Sequence, residues 1–70
     1  MSNQTFGQRL KEARSDKKIT QIELAQQLKV DKSTIAKYET DRIEPSISML
    51  IAIAKFFNVS TDYLLGLSDD

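Results

Sequence analysis

The sequence predicts an all-α fold, a compact bundle of five short helices that forms one domain over residues 1–70. Helix-capping residues recur at short intervals, and apolar residues follow them at spacings of three or four. Only two glycines and one proline occur among the 70 residues, too few for the frequent turns of a β-rich fold. A chain of this length has little core to spare, so its helices must bury their apolar residues efficiently.

The first helix is predicted over residues 6–17, because Thr5 and Gln8 have the spacing of a capping box. In that motif the threonine hydroxyl accepts a hydrogen bond from the third amide of the helix, and the glutamine reaches back to the cap. Lys17 and Lys18 suit the negative end of the helix dipole. Three apolar residues occur in this helix at helical spacing: Phe6, Leu10 and Ala13.

A second capping box, Thr20 with Glu23, starts the second helix, which is predicted over residues 21–28. Asp31 is the expected N-cap of a third helix over residues 32–39. The residues expected to face the core are Ile22, Leu24, Ala25 and Leu28 in the second helix and Ile35 and Tyr38 in the third.

Pro45 breaks the chain, and a fourth helix is predicted over residues 47–57. Ser60 caps a fifth helix over residues 61–65, which ends at Gly66 because glycine favours the left-handed conformation found just after a helix. The fourth helix carries two apolar stripes: Ile47, Leu50, Ala54 and Phe57, which we interpret as core, and Met49, Ala52 and Phe56 on a different side.

The composition excludes most catalytic and metal-dependent classes of protein. The sequence has no cysteine and no histidine, so it lacks thiolate and imidazole ligands and the commonest general base near neutral pH. Asp69 and Asp70 form a pair of carboxylates, but we expect both to be solvated at the end of the chain. We therefore predict a protein that is not an enzyme and that uses no cofactor and no metal.

The net charge is zero, but the charges are unevenly distributed. Residues 1–42 contain nine cations and six anions, whereas residues 43–70 contain one cation and four anions. The first part is therefore +3 and the second −3, which predicts a basic end and an acidic end. No apolar run reaches the roughly 18 residues that span a bilayer, and the polar start does not resemble a signal peptide. We expect a cytoplasmic protein with no membrane partner.

Residues 21–40 are the most informative unit, because two short helices joined by a tight turn match the helix-turn-helix motif. Ala25 is small enough to let the second helix approach closely, and Val30 is expected to fill the turn. Several stretches in this order and spacing resemble the phage repressor and Cro-type (Xre-like) family of helix-turn-helix DNA-binding domains. These stretches are residues 10–14, 20–25, 33–35, 38–39, 44–46 and 59–66.

The resemblance implies a lambda-repressor-like domain, of bacterial or phage origin, whose third helix enters the major groove of double-stranded DNA. It implies a transcriptional regulator, specifically a repressor, that reads a near-palindromic operator as a dimer. Phosphate contacts fall on Gln21, at the start of the second helix, and on Thr40 and Arg42. Base contacts fall on four residues of the third helix whose side chains can bond to base edges: Lys32, Ser33, Thr34 and Lys37.

Arg14 and Glu39 match a buried ion pair of the same family, to which we assign a role in folding. The chain departs from the family pattern at two turns. Lys29 stands where the family usually has glycine, and Thr40-Asp41 stands where Asn-Gly is common. Lysine with a positive φ costs about 1 kcal/mol or more, whereas aspartate tolerates the left-handed region better than most residues.

The second stripe of the fourth helix predicts a homodimer contact through Met49, Ala52, Phe56 and Leu67. An alternative function from a different class is a protein-interaction module on the same scaffold, with antitoxin-type or anti-repressor-type partner binding. The zero net charge and the second stripe favour this alternative. The polar face of the third helix favours DNA, because a surface that binds only protein is more often apolar.

Overall fold

A computed structural model describes residues 4–69, and the predictions for residues 1–3 and Asp70 lie outside this range. The described residues form five α-helices. The observed bounds match the predicted ones except that the first and last helices each end one residue earlier. The helices are α1 (Phe6–Asp16), α2 (Gln21–Leu28), α3 (Lys32–Glu39), α4 (Ile47–Phe57) and α5 (Thr61–Leu64).

Hydrogen bonds at the helix starts confirm both predicted capping boxes. The Gln8 amide donates to Thr5 Oγ1 at 3.2 Å, and the Thr5 amide donates to the Gln8 side chain at 2.9 Å. The same reciprocal pair joins Thr20 and Glu23. Asp31 is the N-cap of α3, but its side chain makes no capping hydrogen bond. The start of α3 is held instead by backbone amides that donate to the Asp31 carbonyl oxygen.

Each helix is followed within two residues by a residue in the left-handed conformation. The next amide along the chain then donates to a carbonyl oxygen five residues before it, at 2.9–3.3 Å, which is the Schellman arrangement. Four of these five residues are not glycine. For each of these four, the left-handed conformation costs about 1–2 kcal/mol of backbone strain. The five residues are Lys18, Lys29, Asp41, Asn58 and Gly66.

Each helix contributes one fully buried aliphatic side chain to the centre of the core. Tyr38 is buried beside them, as predicted, and its ring meets the edge of the Phe6 ring with centroids 6.1 Å apart. The two small residues Ala25 and Ala54 let the helices approach closely around this centre. The five central residues are Leu10, Leu24, Ile35, Ile53 and Leu64.

Two residues predicted to lie in the core are at the surface. Ile47 is 79% exposed and Ile22 is 53% exposed. Ile53, which neither predicted stripe of α4 included, is fully buried instead. Nine of the eleven residues of α4 are apolar, so their spacing does not identify a single buried face. Ile22 lies more than a quarter turn from the face that Leu24 shares with its buried neighbours.

The first turn of α1 packs against the end of α3, and the residue of α1 at this contact is Gly7. A Cβ at Gly7 would lie 2.5 Å from the Tyr38 carbonyl oxygen, so only glycine permits this approach. The Asp41 carboxylate accepts hydrogen bonds from the Gly7 amide at 2.9 Å and from the Thr5 hydroxyl. A carboxylate is stabilised at a helix N-terminus. Asp41 therefore supplies α1 with a second cap, which the family's glycine could not do.

Arg9 makes a buried contact that the sequence analysis missed. Only 3% of Arg9 is exposed, its Nη2 lies 2.9 Å from Asp69 Oδ1, and its guanidinium lies 4.4 Å from the centroid of the Tyr63 ring. The hydrogen bond to Asp69 raises the pKa of Arg9. The Asp69 side chain is 71% exposed, as predicted, but its carboxylate also binds this buried cation, a contact that the sequence analysis did not predict.

Candidate nucleic-acid interface

The unit formed by α2, the turn and α3 presents one face of α3 to solvent. Lys29 adopts the left-handed conformation, with φ 60°, and lets the chain reverse within three residues. The Val30 amide donates to the Ala25 carbonyl oxygen at 3.0 Å, and the Val30 side chain packs against the core. The turn therefore has the tight geometry expected of a helix-turn-helix, although lysine replaces the usual glycine.

The predicted base-contacting residues lie mainly on the exposed side of α3. Lys32, Ser33 and Lys37 are exposed, whereas Thr34 is half-buried. Ser33 and Lys37 are four residues apart, so their side chains share one face of the helix. Ile35 is buried on the opposite side. The structure thus places the Ser33 hydroxyl and the Lys37 ammonium group on one exposed face, with Thr34 at its edge. Lys32 is also exposed, but it lies about 140° around the helix axis from Lys37.

Gln21, predicted to contact phosphate, is held by a buried hydrogen-bond network. Its Nε2 donates to Glu39 Oε1 at 3.0 Å, and it is half-buried. Arg14 donates to the same carboxylate through Nε, 2.6 Å from Oε2, and through Nη2, 3.2 Å from Oε1. Arg14 Nη1 also donates to the Ile19 carbonyl oxygen at 2.8 Å. The Arg14–Glu39 pair therefore joins α1 to the end of α3, and the bond from Gln21 fixes the start of α2 to the same carboxylate.

The fixed start of α2 has properties that suit an anion. The first amides of a helix have no acceptor within the helix, and the helix dipole adds partial positive charge there. Of these amides, that of Glu23 donates to the Thr20 hydroxyl. The amides of Gln21 and Ile22 come earlier and have no intrahelical acceptor. Because the Gln21 side chain is tied to Glu39, its backbone amide is the better placed donor to a phosphate oxygen.

Thr40 and Arg42, the other predicted phosphate contacts, follow the end of α3 and are both exposed. The Thr40 hydroxyl donates to the Ala36 carbonyl oxygen at 2.9 Å, which caps the helix end. The Arg42 amide donates to the Lys37 carbonyl oxygen at 2.9 Å, so its backbone is fixed to the end of α3. The backbone position of the Arg42 cation is therefore fixed relative to α3. The Thr40 hydroxyl, by contrast, is already used in a hydrogen bond within the domain.

The predicted dimer residues of α4 do not form a free apolar stripe. Met49 and Phe56 are half-buried and pack against the core. Lys17 Nζ also lies 4.6 Å from the centroid of the Phe56 ring and covers it. Ala52 and Leu67 are exposed. The interpretation of this stripe as a surface separate from the core is therefore wrong for its two largest members.

Two properties of the described residues bear on other classes of function. No helix within residues 4–69 is long and apolar enough to cross a membrane. The same residues contain no group of three or more acidic side chains arranged to hold a metal ion.

Known proteins share both the sequence and the geometry of this unit. A family model described as a helix-turn-helix domain matches residues 7–69. The HTH-type transcriptional regulator ImmR of Bacillus subtilis is 42% identical over 62 residues, which are 89% of this chain and 49% of the relative. The immunity repressor of Bacillus phage phi105 is 37% identical over 62 residues, which are 89% of this chain and 43% of that protein. The chain spans about half the length of these relatives.

A solved structure extends the similarity to three dimensions. The P22 c2 repressor in complex with a synthetic operator is 32% identical, with a TM-score of 0.87 over 94% of this chain and 100% of that one. The restriction-modification controller protein C.AhdI of Aeromonas hydrophila is 28% identical, with a TM-score of 0.77 over 86% and 91% of the two chains. Because the family model covers nearly the whole chain and the folds coincide, this protein belongs to the helix-turn-helix domain family of phage-repressor type.

Proposed function

We propose that this chain is a sequence-specific, double-stranded DNA-binding transcriptional regulator that acts as a repressor. The observation that carries the proposal is the exposed polar surface of α3, which holds Lys32, Ser33 and Lys37. The P22 c2 repressor, whose structure contains an operator, has the same fold and supports this reading. Occupation of a promoter would then exclude polymerase from it.

In the proposed complex α3 lies in the major groove. Lys37 and Lys32 donate to guanine O6 and N7, and Ser33 pairs with either a donor or an acceptor on a base edge. Thr34 is half-buried at the edge of this surface, so in the proposed complex it contacts bases with only the exposed part of its side chain. Because the net charge is zero, the affinity depends on these short-range contacts more than on long-range attraction.

Three groups outside α3 position the domain on the phosphate backbone in this proposal. The start of α2, with Gln21, binds one phosphate through backbone amides. Arg42 and Thr40 contact a phosphate beyond the end of α3, where Arg42 supplies the charge. Contacts of this kind fix the register of the protein on DNA and carry no sequence information themselves.

We further propose that two copies bind the two halves of a near-palindromic operator as a homodimer. Two-fold symmetry in the protein matches two-fold symmetry in the operator, with half-sites about one helical turn, roughly 34 Å, apart. The dimer contact proposed from the sequence comprises Met49, Ala52, Phe56 and Leu67. Ala52 and Leu67 are exposed and available to a second copy, whereas Met49 and Phe56 are half-buried and offer only part of their surface.

The primary experiment is the selection of tight binders from a random pool of duplex DNA at near-physiological salt. We expect enrichment of a two-fold symmetric motif. Lys37→Ala should weaken binding and relax the preference at particular bases by about 1–3 kcal/mol. Lys55→Ala, on α4, removes the same charge from the acidic part of the chain and serves as the matched control. Unchanged affinity and base preference in Lys37→Ala would rule out the proposed position of α3.

Salt dependence separates phosphate contacts from base contacts. Arg42→Ala should weaken binding to all sequences alike and reduce the slope of log K against log salt by about 0.9, the value for one phosphate contact on duplex DNA. A variant with an unchanged slope would remove Arg42 from the proposed phosphate contacts.

A protein-interaction module on the same scaffold is the second candidate function. Zero net charge and an exposed apolar surface beside the loop between α3 and α4 favour it. This candidate predicts that the DNA selection enriches no motif and yields only weak, salt-sensitive binding.

A further inference from the structure

We propose that Arg9 forms a carboxylate-binding site, which the Asp69 side chain occupies in part and which a carboxylate of another molecule occupies in full when it displaces Asp69. The ligand is a carboxylate group, carried by a small organic acid or by an acidic peptide segment of a partner protein. Arg9 belongs to α1 and Asp69 to the segment after α5. The site therefore lies outside the α2–α3 unit and goes beyond the proposed function.

The cation at the centre of the site is held by its neighbours. Arg9 is almost fully buried, and its Cζ lies 4.4 Å from the centroid of the Tyr63 ring. A buried cation needs a counter-ion, because burial removes the water that would solvate its charge. Asp69 supplies one through Oδ1, which lies 2.9 Å from Arg9 Nη2. This carboxylate comes from an exposed residue that lies outside the five helices.

One donor of the Arg9 guanidinium is left unpaired. Within residues 4–69, Arg9 Nε is buried and has no hydrogen-bond partner. An unpaired buried donor is unfavourable, and most buried polar groups in folded proteins are paired. The N–H of Nε and one N–H of Nη2 point the same way from one edge of the planar guanidinium, so together they can bind both oxygens of a carboxylate. Asp69 therefore uses half of this edge.

The same edge of a second arginine shows the complete arrangement. Arg14 Nε lies 2.6 Å from Glu39 Oε2, and Arg14 Nη2 lies 3.2 Å from Glu39 Oε1. Glu39 belongs to α3, which fixes its position, whereas Asp69 extends from a segment with no helix of its own. A carboxylate that is not attached to this segment is free to turn until both of its oxygens meet the edge of Arg9. This freedom favours an external carboxylate at Arg9 over Asp69.

The surroundings of Arg9 favour a carboxylate over a more highly charged anion. Glu12 follows Arg9 by one turn of α1 and so lies on the same side of the helix. Its carboxylate accepts hydrogen bonds from the Tyr63 hydroxyl at 3.4 Å and from Gln4 Nε2 at 2.9 Å. This negative group repels a phosphate, which carries nearly two charges near neutral pH, more than it repels a carboxylate with one. The flat carboxylate also matches the flat edge of the guanidinium.

Asp69 competes with an external carboxylate because it belongs to the same chain. A group on a short flexible segment acts at an effective concentration in the millimolar range. Removal of its carboxylate should open the site and leave α5 in place, because the chain is also packed at Gly66. A Cβ at Gly66 would lie 2.7 Å from the Gln4 carbonyl oxygen, so this contact does not depend on Asp69.

The test compares Asp69→Ala with Asp62→Ala, a matched loss of an exposed carboxylate on α5 that makes no ion pair with Arg9 within the described residues. The chemical shifts of the Arg9 Nε–H group are followed by NMR, because this group is the unpaired donor itself. Sodium acetate is added at constant ionic strength, with sodium chloride and sodium phosphate as the comparison anions. A second titration uses a tetraglutamate peptide with blocked ends, and the corresponding tetraglutamine peptide is its control.

We expect acetate to shift the Nε–H signal of Asp69→Ala in a saturable way, whereas chloride leaves it unchanged and phosphate binds more weakly. The apparent dissociation constant is the intrinsic one divided by the fraction of open sites, so an Asp69 contact formed about nine-tenths of the time weakens acetate binding about tenfold in the wild type. Asp62→Ala should behave as the wild type. Tetraglutamate that binds more tightly than acetate assigns the ligand to an acidic protein segment, and equal or weaker binding assigns it to a small organic acid.

The proposal is overturned if neither acetate nor tetraglutamate shifts the Nε–H signal of Asp69→Ala, or if chloride or phosphate shifts it as strongly as acetate. Thermal unfolding provides a second readout. Acetate should raise the melting temperature of Asp69→Ala more than that of the wild type. If Asp69→Ala is unfolded, acetate but not chloride should restore its folding, and a failure to do so also overturns the proposal. None of these measurements uses DNA, so their outcome is independent of the proposed function.

Discussion

Substitution of Arg14 by alanine tests how the domain holds α1 and α2 against the end of α3. The Glu39 side chain is 3% exposed and accepts hydrogen bonds from Arg14 Nε, Arg14 Nη2 and Gln21 Nε2. Arg14→Ala removes two of these three donors and leaves a buried carboxylate without its counter-ion. Loss of one partner of a buried pair costs about 3–5 kcal/mol.

This cost is large relative to the whole stability of the domain. Native domains have about 0.05–0.15 kcal/mol of stability per residue, so 70 residues correspond to about 4–10 kcal/mol. One kcal/mol shifts the melting temperature of a domain of this size by about 4–8 °C. At the low end of both ranges, a loss of about 3 kcal/mol at about 4 °C per kcal/mol lowers the melting temperature by about 12 °C. We therefore expect Arg14→Ala to lower it by at least about this amount.

The reciprocal variant should be less damaging. In Glu39→Ala the Arg14 side chain, 15% exposed, retains its hydrogen bond to the Ile19 carbonyl oxygen and can reach water. We expect a loss of about 1–3 kcal/mol. The double variant Arg14→Met with Glu39→Leu removes both charges and should be more stable than Arg14→Ala.

Urea unfolding followed by circular dichroism measures all three variants, and a double-mutant cycle isolates the interaction between the two residues. A loss below about 1 kcal/mol in Arg14→Ala would refute the argument, because an unpaired buried carboxylate cannot be that inexpensive. A double variant less stable than Arg14→Ala would show that the charges themselves stabilise the fold.

Three further predictions concern the backbone and the core. Lys29→Gly should stabilise the domain by about 0.5–1 kcal/mol in urea unfolding, because the relief of about 1–2 kcal/mol of backbone strain exceeds the entropy that glycine adds to the unfolded state. The control Gln27→Gly, inside α2, should instead lower the free energy of unfolding by about 1 kcal/mol. Equal changes in the two variants would contradict the role of the positive φ at Lys29. Gly7→Ala should cost about 2–3 kcal/mol or more, since its Cβ meets backbone at 2.5 Å, and a wild-type melting temperature would disprove that close approach. Ile53→Ala should lower the free energy of unfolding by about 2–5 kcal/mol and Ile47→Ala by less than about 0.5 kcal/mol. A larger loss in Ile47→Ala than in Ile53→Ala would contradict the assignment of the buried face of α4.

The helix boundaries were predictable from local signals. Thr5 and Thr20 are followed by Gln8 and Glu23 at the spacing of a capping box, and both boxes form. Such signals involve residues three apart, so they can be recognised without knowledge of any tertiary contact. The left-handed conformation of Lys29 was implied by the family resemblance, because glycine usually stands at this position, and the structure has it.

The buried face of α4 was not predictable in the same way. A helix with nine apolar residues among eleven has a strong tendency to be buried but no single apolar side. The contacts of α4 with α2 and α5 select Ile53 for the core and leave Ile47 in solvent.

The candidate site also has parts that the sequence predicts and parts that only the folded structure shows. Lys32, Ser33 and Lys37 were identified from their place in the helix-turn-helix, and their exposure follows from helical periodicity around the buried Ile35. The bond between Gln21 and Glu39 links residues 18 positions apart and has no periodic signature in the sequence.

Interactions between neighbours in sequence are encoded locally, and here they specify five helices, their caps and the turn between α2 and α3. Interactions between distant residues depend on how those helices pack. Arg9 and Asp69, 60 residues apart, and Asp41 and Gly7, 34 residues apart, meet only in the folded domain. The physical reason is that a helix positions its side chains by its own geometry, whereas the side it buries is set by the steric fit of all five helices together.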